Sequence, residues 1–124
     1  MKPLVSIILP TYNSRKFINR TINCILKQKI LSWELIIIDD FSTDKTFEYL
    51  KQYQKNKKIK IFKNVRNLGP GLSRRIGLSK SKGKYIAFID SDDLWKKNKL
   101  LEQIKFMKNN KCLFSFTNVI YIKN

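Results

Sequence analysis

The chain has 124 residues, 43% of them hydrophobic, which suits one domain with a real core and excludes a disordered chain. Lys and Arg number 26 against 9 Asp and Glu, and the formal charge of +17 points to an anionic partner, although a solvated Lys-rich surface explains most charge of this kind. There is no His, and the two cysteines, Cys24 and Cys112, lie far apart, so His-based acid–base chemistry, a Ser-His-Asp triad and a disulfide framework are excluded. Such cysteine usage fits a reducing cytoplasm. No apolar run has the length of a membrane span or the form of a signal peptide.

Leu4-Val5-Ser6-Ile7-Ile8-Leu9 reads as a buried strand that Pro10 should stop. Asn13 and Ser14 are candidate caps for a helix through about Lys29, with Ile18, Ile22, Ile25 and Leu26 at helical spacing. Cys24 falls within that apolar pattern, as a core thiol and not a nucleophile. Trp33 to Ile38 is a second strand, ending in Asp39-Asp40. Ser42-Thr43-Asp44 can cap a second helix with Phe47, Leu50 and Tyr53 facing inward. After the turn Asn56-Lys57-Lys58 comes a short third strand, Ile59 to Phe62. The loop Asn67-Leu68-Gly69-Pro70-Gly71 opens a third helix through about Ser79, since Pro70 suits the first helical turn. Lys82-Gly83-Lys84 then turns the chain into a fourth strand, Tyr85 to Ile89. Lys97 to Asn109 predicts a fourth helix with Leu100, Leu101, Ile104 and Met107 on one face, and Leu113 to Ile122 a fifth strand. Short apolar strands alternating with amphipathic helices define an α/β fold, a mostly parallel, Rossmann-like sheet flanked by helices.

The fourth strand runs into Asp90-Ser91-Asp92-Asp93, which packs three carboxylates into four positions. Such charges repel and raise one another's pKa unless a cation sits among them. Carboxylates are hard oxygen donors suited to Mn²⁺ or Mg²⁺, ions that also take phosphate oxygens. Asp and Ser are equally at home in a plain turn or helix cap, so the motif alone leaves both readings open. Ligands of open α/β sheets bind beyond the carboxyl ends of the strands. Three polar groups stand at such ends: Pro10-Thr11-Tyr12-Asn13, Asp39-Asp40 and Asp90-Ser91-Asp92-Asp93. Arg74 and Arg75, just before the fourth strand, offer positive charge for a diphosphate.

This combination resembles the family 2 glycosyltransferases, inverting enzymes of the GT-A type. The resemblance runs through Val5-Ser6-Ile7-Ile8-Leu9-Pro10-Thr11-Tyr12-Asn13 and Glu34-Leu35-Ile36-Ile37-Ile38-Asp39-Asp40-Phe41-Ser42-Thr43-Asp44. It continues through Asn67-Leu68-Gly69 with Ser73-Arg74, then Gly83-Lys84-Tyr85-Ile86 and Asp90-Ser91-Asp92-Asp93. It implies a nucleotide-diphosphate sugar as donor, typically UDP-linked, and a glycan or lipid-linked acceptor. Pro10, Thr11 and Tyr12 would line the nucleotide pocket, with Tyr12 near the base. Asp39 would accept hydrogen bonds from the nucleobase, while Asp40 would orient the loop or cap the next helix. Arg74 would approach the diphosphate, and Asp90 the ribose. Asp92 would bind a Mn²⁺ or Mg²⁺ ion bridging the diphosphate, with Asp93 supporting that metal site or capping the following helix. The metal and the arginine would stabilise the charge that develops on the nucleoside diphosphate as it leaves.

The chain departs from the family in three places. Phe41 stands where a small residue is usual and should narrow or re-aim its loop. Ser73-Arg74-Arg75 replaces Ala-Arg-Asn and adds a positive charge. After Asp93 the sole acidic residue is Glu102, so no catalytic base is found. Residues 1–124 are therefore expected to be a single nucleotide-sugar-binding domain, truncated relative to a full catalytic domain. It is expected in the cytoplasm, its basic surface allowing peripheral association with the inner face of an anionic membrane. The main alternative is a non-catalytic nucleotide-binding or interaction module with this fold. Nucleic-acid binding is disfavoured, because no clustered-arginine helix, zinc spacing or aromatic–basic strand motif is present.

Overall fold

The computed structural model describes residues 2–122. Strands β1 (Val5–Thr11) and β2 (Trp33–Asp39) are buried along their whole length, which explains their lack of apolar–polar alternation. They pair in parallel from Val5 opposite Trp33 to Thr11 opposite Asp39. Strand β3 (Ile59–Lys63) adds outside β2 and β4 (Tyr85–Phe88) outside β1, both in parallel, giving the order β3-β2-β1-β4.

That order reverses direction at β1, and right-handed crossovers then decide where the helices go. Helices α1 (Ile18–Leu26) and α2 (Thr46–Leu50) follow connections that step one way and share one face. There Ile18, Ile22, Ile25 and Leu50 pack with Ile7, Leu9, Leu35 and Ile37. Helix α3 (Pro70–Lys80) follows the connection that steps back, and it covers the opposite face. It approaches closely because Gly77 has no side chain: a Cβ there would lie 2.5 Å from Ile8 Cγ2. Helix α4 (Lys99–Asn110) returns to the first face through Leu100 and Ile104.

The opposite end of the sheet is tied by Glu34, a buried carboxylate. It accepts hydrogen bonds from Ser6 Oγ at 2.6 Å, the Lys82 N–H at 2.7 Å and Lys60 Nζ at 2.7 Å. Gly83 N–H donates to the same Ser6 Oγ at 2.8 Å. The turn into β4 is thereby fixed to β1 and β2.

Several expectations need correction. Pro10 does not stop β1, which continues to Thr11. Helix α1 begins four residues after Ser14, whose carbonyl accepts the Phe17 and Ile18 N–H groups, and no side chain caps it. Leu26 is exposed, not inward. The strand expected over Leu113 to Ile122 does not form: the segment joins no strand among the described residues, and its large apolar side chains are 67–100% exposed. An apolar run supplies a strand's side chains but not its partner edge.

Candidate functional site

Strands β1 and β4 part at their carboxyl ends. Ile89 N–H makes the last bond between them, to the Ile8 carbonyl at 3.1 Å. Pro10 lies two residues beyond Ile8 and faces the same gap, and it has no N–H with which to extend the ladder. The chain beyond Ile89 turns away, leaving a cleft of about 440 Å³ at the reversal of strand order.

Six of the residues expected to form a site meet in that cleft. Pro10 and Thr11 line it from β1, Tyr12 from just beyond that strand, Arg74 from α3, and Asp90 and Asp92 from the turn after β4. Arg74 Nη2 donates to Asp90 Oδ1 at 2.6 Å in a partly exposed ion pair. Thr11 is only 3% exposed, and its hydroxyl is one of the few buried polar atoms without a partner among the described residues. Tyr12 is 50% exposed.

Asp39 and Asp93 lie outside this lining. Asp39 is fully buried, and its carboxylate takes the Ser42 N–H at 3.1 Å and the Ser42 hydroxyl at 2.6 Å. Burial pushes its pKa up, and the Ser42 bonds and the Lys63 charge offset only part of that. Asp93 closes the acidic turn by donating its N–H to the Asp90 carbonyl at 3.1 Å. Partial burial pushes its carboxyl pKa up, and the neighbouring Asp90 and Asp92 charges push it further. Arg75 is exposed on the helix surface.

Asp40, beside Asp39, lines the cleft and holds the loop before α3. Its carboxylate accepts the Leu68 N–H at 2.7 Å, the Gly69 N–H at 2.8 Å and the Asn64 amide at 2.9 Å. Asn64 also reaches Ser73 Oγ at 3.1 Å. Gly69, at φ +86°, supplies the left-handed backbone this approach requires.

Sequence reasoning missed the supports of the acidic turn. Thr21 Oγ1 donates toward the Ser91 and Asp93 carbonyls at 2.7 and 3.0 Å, and Ser14 Oγ lies 2.6 Å from Ser91 Oγ. Gln28 reaches the Lys96 carbonyl at 2.8 Å and receives the Leu100 N–H at 3.2 Å. Trp95 N–H donates to Cys24 Sγ at 3.2 Å, and burial pushes that thiol's pKa up, away from nucleophile chemistry. The available signal was two polar residues, Thr21 and Gln28, on the same stripe as Ile18, Ile22 and Ile25. A buried polar group demands a partner.

Phe41 adopts φ +66°, a conformation that costs a residue with a Cβ roughly 1–2 kcal/mol. It is the aromatic residue among the non-glycine residues with positive φ. The residue is 46% exposed.

Comparison with known proteins gives the relationships. The putative teichuronic acid biosynthesis glycosyltransferase TuaG of Bacillus subtilis is 46% identical over 117 residues, covering 94% of this chain and 46% of TuaG. The Escherichia coli UDP-Glc:alpha-D-GlcNAc-diphosphoundecaprenol beta-1,3-glucosyltransferase WfgD is 39% identical over 121 residues, covering 98% of this chain and 47% of WfgD. The chain thus spans about half the length of these curated relatives. The structure of Staphylococcus aureus TarS 1-349 in complex with UDP superposes with a TM-score of 0.81 at 33% identity, over 90% of this chain and 33% of that one. The parallel sheet with its flanking helices is of the GT-A type that such neighbours share. The Glycosyl transferase family 2 profile matches residues 6–124, from within β1 through the acidic turn and beyond α4, and by that match the chain belongs to this family.

Proposed function

We propose that this chain is the donor-binding portion of an inverting glycosyltransferase. It takes a UDP-linked sugar with Mn²⁺ or Mg²⁺ and serves sugar transfer to a glycan or lipid-linked acceptor in cell-envelope polysaccharide assembly. The observation that carries this reading is the meeting of Arg74 with Asp90 and Asp92 where β1 and β4 part. UDP in the TarS complex and the diphosphoundecaprenol substrate in the name of WfgD support the donor and acceptor classes.

The donor set fits a divalent ion. Asp90 and Asp92 are exposed hard oxygen donors; burial first, and then the Asp90 and Asp92 charges, push the Asp93 carboxyl pKa up, and a cation would relieve the second of these. Among the described residues no three acidic or thiol groups converge to hold an ion alone. An ion held by one or two carboxylates would need phosphate oxygens and water to complete its shell. Asp92 would hold it with help from Asp90 or Asp93, and it would neutralise charge on the departing diphosphate.

The chain's own residues do the rest. Arg74, now paired with Asp90, turns its guanidinium to a phosphate oxygen when the diphosphate enters, exchanging one charge-assisted bond for another. Thr11 is part of the cleft wall, and half-exposed Tyr12 offers a ring face for the base. Asp40 keeps the start of α3 in place. The net charge of +17 favours work beside an anionic membrane where lipid-linked glycans are assembled. Among the described residues, no helix is long and apolar enough to cross a membrane.

A second reading, a nucleotide-binding module without turnover, draws on Glu102. This acidic residue is exposed on α4, near Asn98 and outside the cleft lining, so it is not placed as a general base. Titration calorimetry with UDP and Mn²⁺ tests the shared core of both readings. We expect saturable binding that is abolished by chelation and weakened about tenfold or more by Asp92→Ala. No UDP binding by the unaltered chain, or binding indifferent to Asp92→Ala, refutes the site. Hydrolysis or transfer of a UDP-sugar by the chain excludes the second reading.

A further inference from the structure

Phe41 directly follows the cleft-lining Asp40. Its backbone sits in the left-handed region, where a residue with a Cβ pays a conformational penalty, yet its ring takes no part in the hydrophobic core. The ring's cationic neighbour is Lys63 Nζ, 5.6 Å from its centroid. The loop is nonetheless firmly placed. Asn13 N–H donates to Ser42 Oγ at 3.0 Å, and Thr43 N–H donates to Asn13 Oδ1 at 2.8 Å. Those bonds fasten the segment just after Phe41 to the segment just after Tyr12. Two half-exposed aromatic residues, Tyr12 and Phe41, therefore stand at the carboxyl ends of adjacent strands. Strained backbone that gives nothing to the core is characteristic of ligand sites, where the bound molecule supplies the missing compensation.

We propose that Phe41 is a nucleobase contact, its ring extending the aromatic wall begun by Tyr12 so that the base of a nucleoside diphosphate stacks against it. The inference rests on the nucleotide-sugar reading above and adds a specificity-determining residue to it. A π face recognises the base and not the diphosphate.

The test uses the full chain with Mn²⁺, titrated with UDP and separately with pyrophosphate, together with thermal melts of Phe41→Gly, Phe41→Leu and Phe41→Tyr. Phe41→Gly relieves the backbone, and its Tm should rise by about 3–6 °C. Its UDP affinity should fall by about 5- to 50-fold, while pyrophosphate affinity stays within about twofold. Phe41→Leu keeps the strain and loses the π face, so its UDP affinity should fall with no gain in Tm. Phe41→Tyr should match the unaltered chain. Unchanged UDP affinity in Phe41→Gly and Phe41→Leu overturns the inference and leaves the donor site standing. Equal losses for UDP and pyrophosphate also overturn it, since they mean a displaced loop. Absence of UDP binding in the unaltered chain removes both the donor site and the inference.

Discussion

Replacing Asp40 probes how the cleft wall is held. Its carboxylate accepts three hydrogen bonds, from Leu68 N–H at 2.7 Å, Gly69 N–H at 2.8 Å and Asn64 Nδ2 at 2.9 Å. Bonds to a charged acceptor contribute about 1.5–3 kcal/mol each, and a donor left buried without a partner costs about 1–3 kcal/mol. The Leu68 and Gly69 groups are partly buried, so water can satisfy some of what Asp40→Ala frees, whereas the Asn64 amide is buried. The expected loss is about 3–4 kcal/mol, a large share of the ~5–15 kcal/mol that stabilises a typical domain. At a urea m-value of about 2 kcal/mol/M, the unfolding midpoint should drop by about 1.5–2 M with m unchanged. Asp40→Asn keeps the shape and one acceptor oxygen, but sets an amide N–H against a backbone N–H, so it should lose roughly half as much. The Arg74-bearing start of α3 loosens in both variants, so UDP affinity should fall with stability. A midpoint for Asp40→Ala within about 0.3 M of the unaltered chain would refute the reasoning, since it would mean that Asp40 does not hold the loop.

Two further outcomes follow from the supports around the cleft. Burial pushes the Glu34 carboxyl pKa up, but Lys60, Ser6 and the Lys82 N–H outweigh it and hold the value below its ordinary 4.5. A lowered folded pKa gives stability that is present above about pH 4.5 and lost as pH falls through the folded value. Glu34→Gln should therefore be less stable by about 1–3 kcal/mol at pH 7. The gap should narrow in urea melts at pH 3, and a gap that stays constant with pH contradicts the assignment. Thr21→Val removes the hydroxyl beneath the acidic turn and should cost about 1 kcal/mol, with a weaker response to Mn²⁺ in the UDP titration. Equal stability and equal metal response would show that the turn holds itself.

Much of the fold was legible because its signals are local. The unbroken apolar runs of β1 and β2 announced strands covered on both faces, and Asn67-Leu68-Gly69 and Lys82-Gly83-Lys84 marked the two ends of α3. The misjudged elements depend on partners distant in sequence. Leu113 to Ile122 has the composition of a strand and joins neither outer edge of the sheet among the described residues. Pro10 is admitted to β1 because its N–H-deficient side faces the gap where β4 has already turned away. Neither the vacant edge nor that gap is written in the residues nearby.

The pair Asp39-Asp40 depends in the same way on sheet geometry. Adjacent strand residues point to opposite faces. Leu35 and Ile37 face the α1 and α2 core, and Asp39 continues their row into Ser42. Ile38 faces α3, where a Cβ on Gly77 would lie 3.6 Å from its Cγ1, and Asp40 continues that row to the loop opening α3. Which row borders the cleft is decided by the reversal of strand order before β4, a long-range feature that the pair itself does not encode. The consequence is chemical. A nucleobase calling on Asp39 must displace Ser42 from both of its oxygens, and one calling on Asp40 must compete with two backbone N–H groups. The Thr11 hydroxyl, opposite Asp39 and on the row of Ile7 and Leu9, is buried, so a base reaches it only by displacing what covers it.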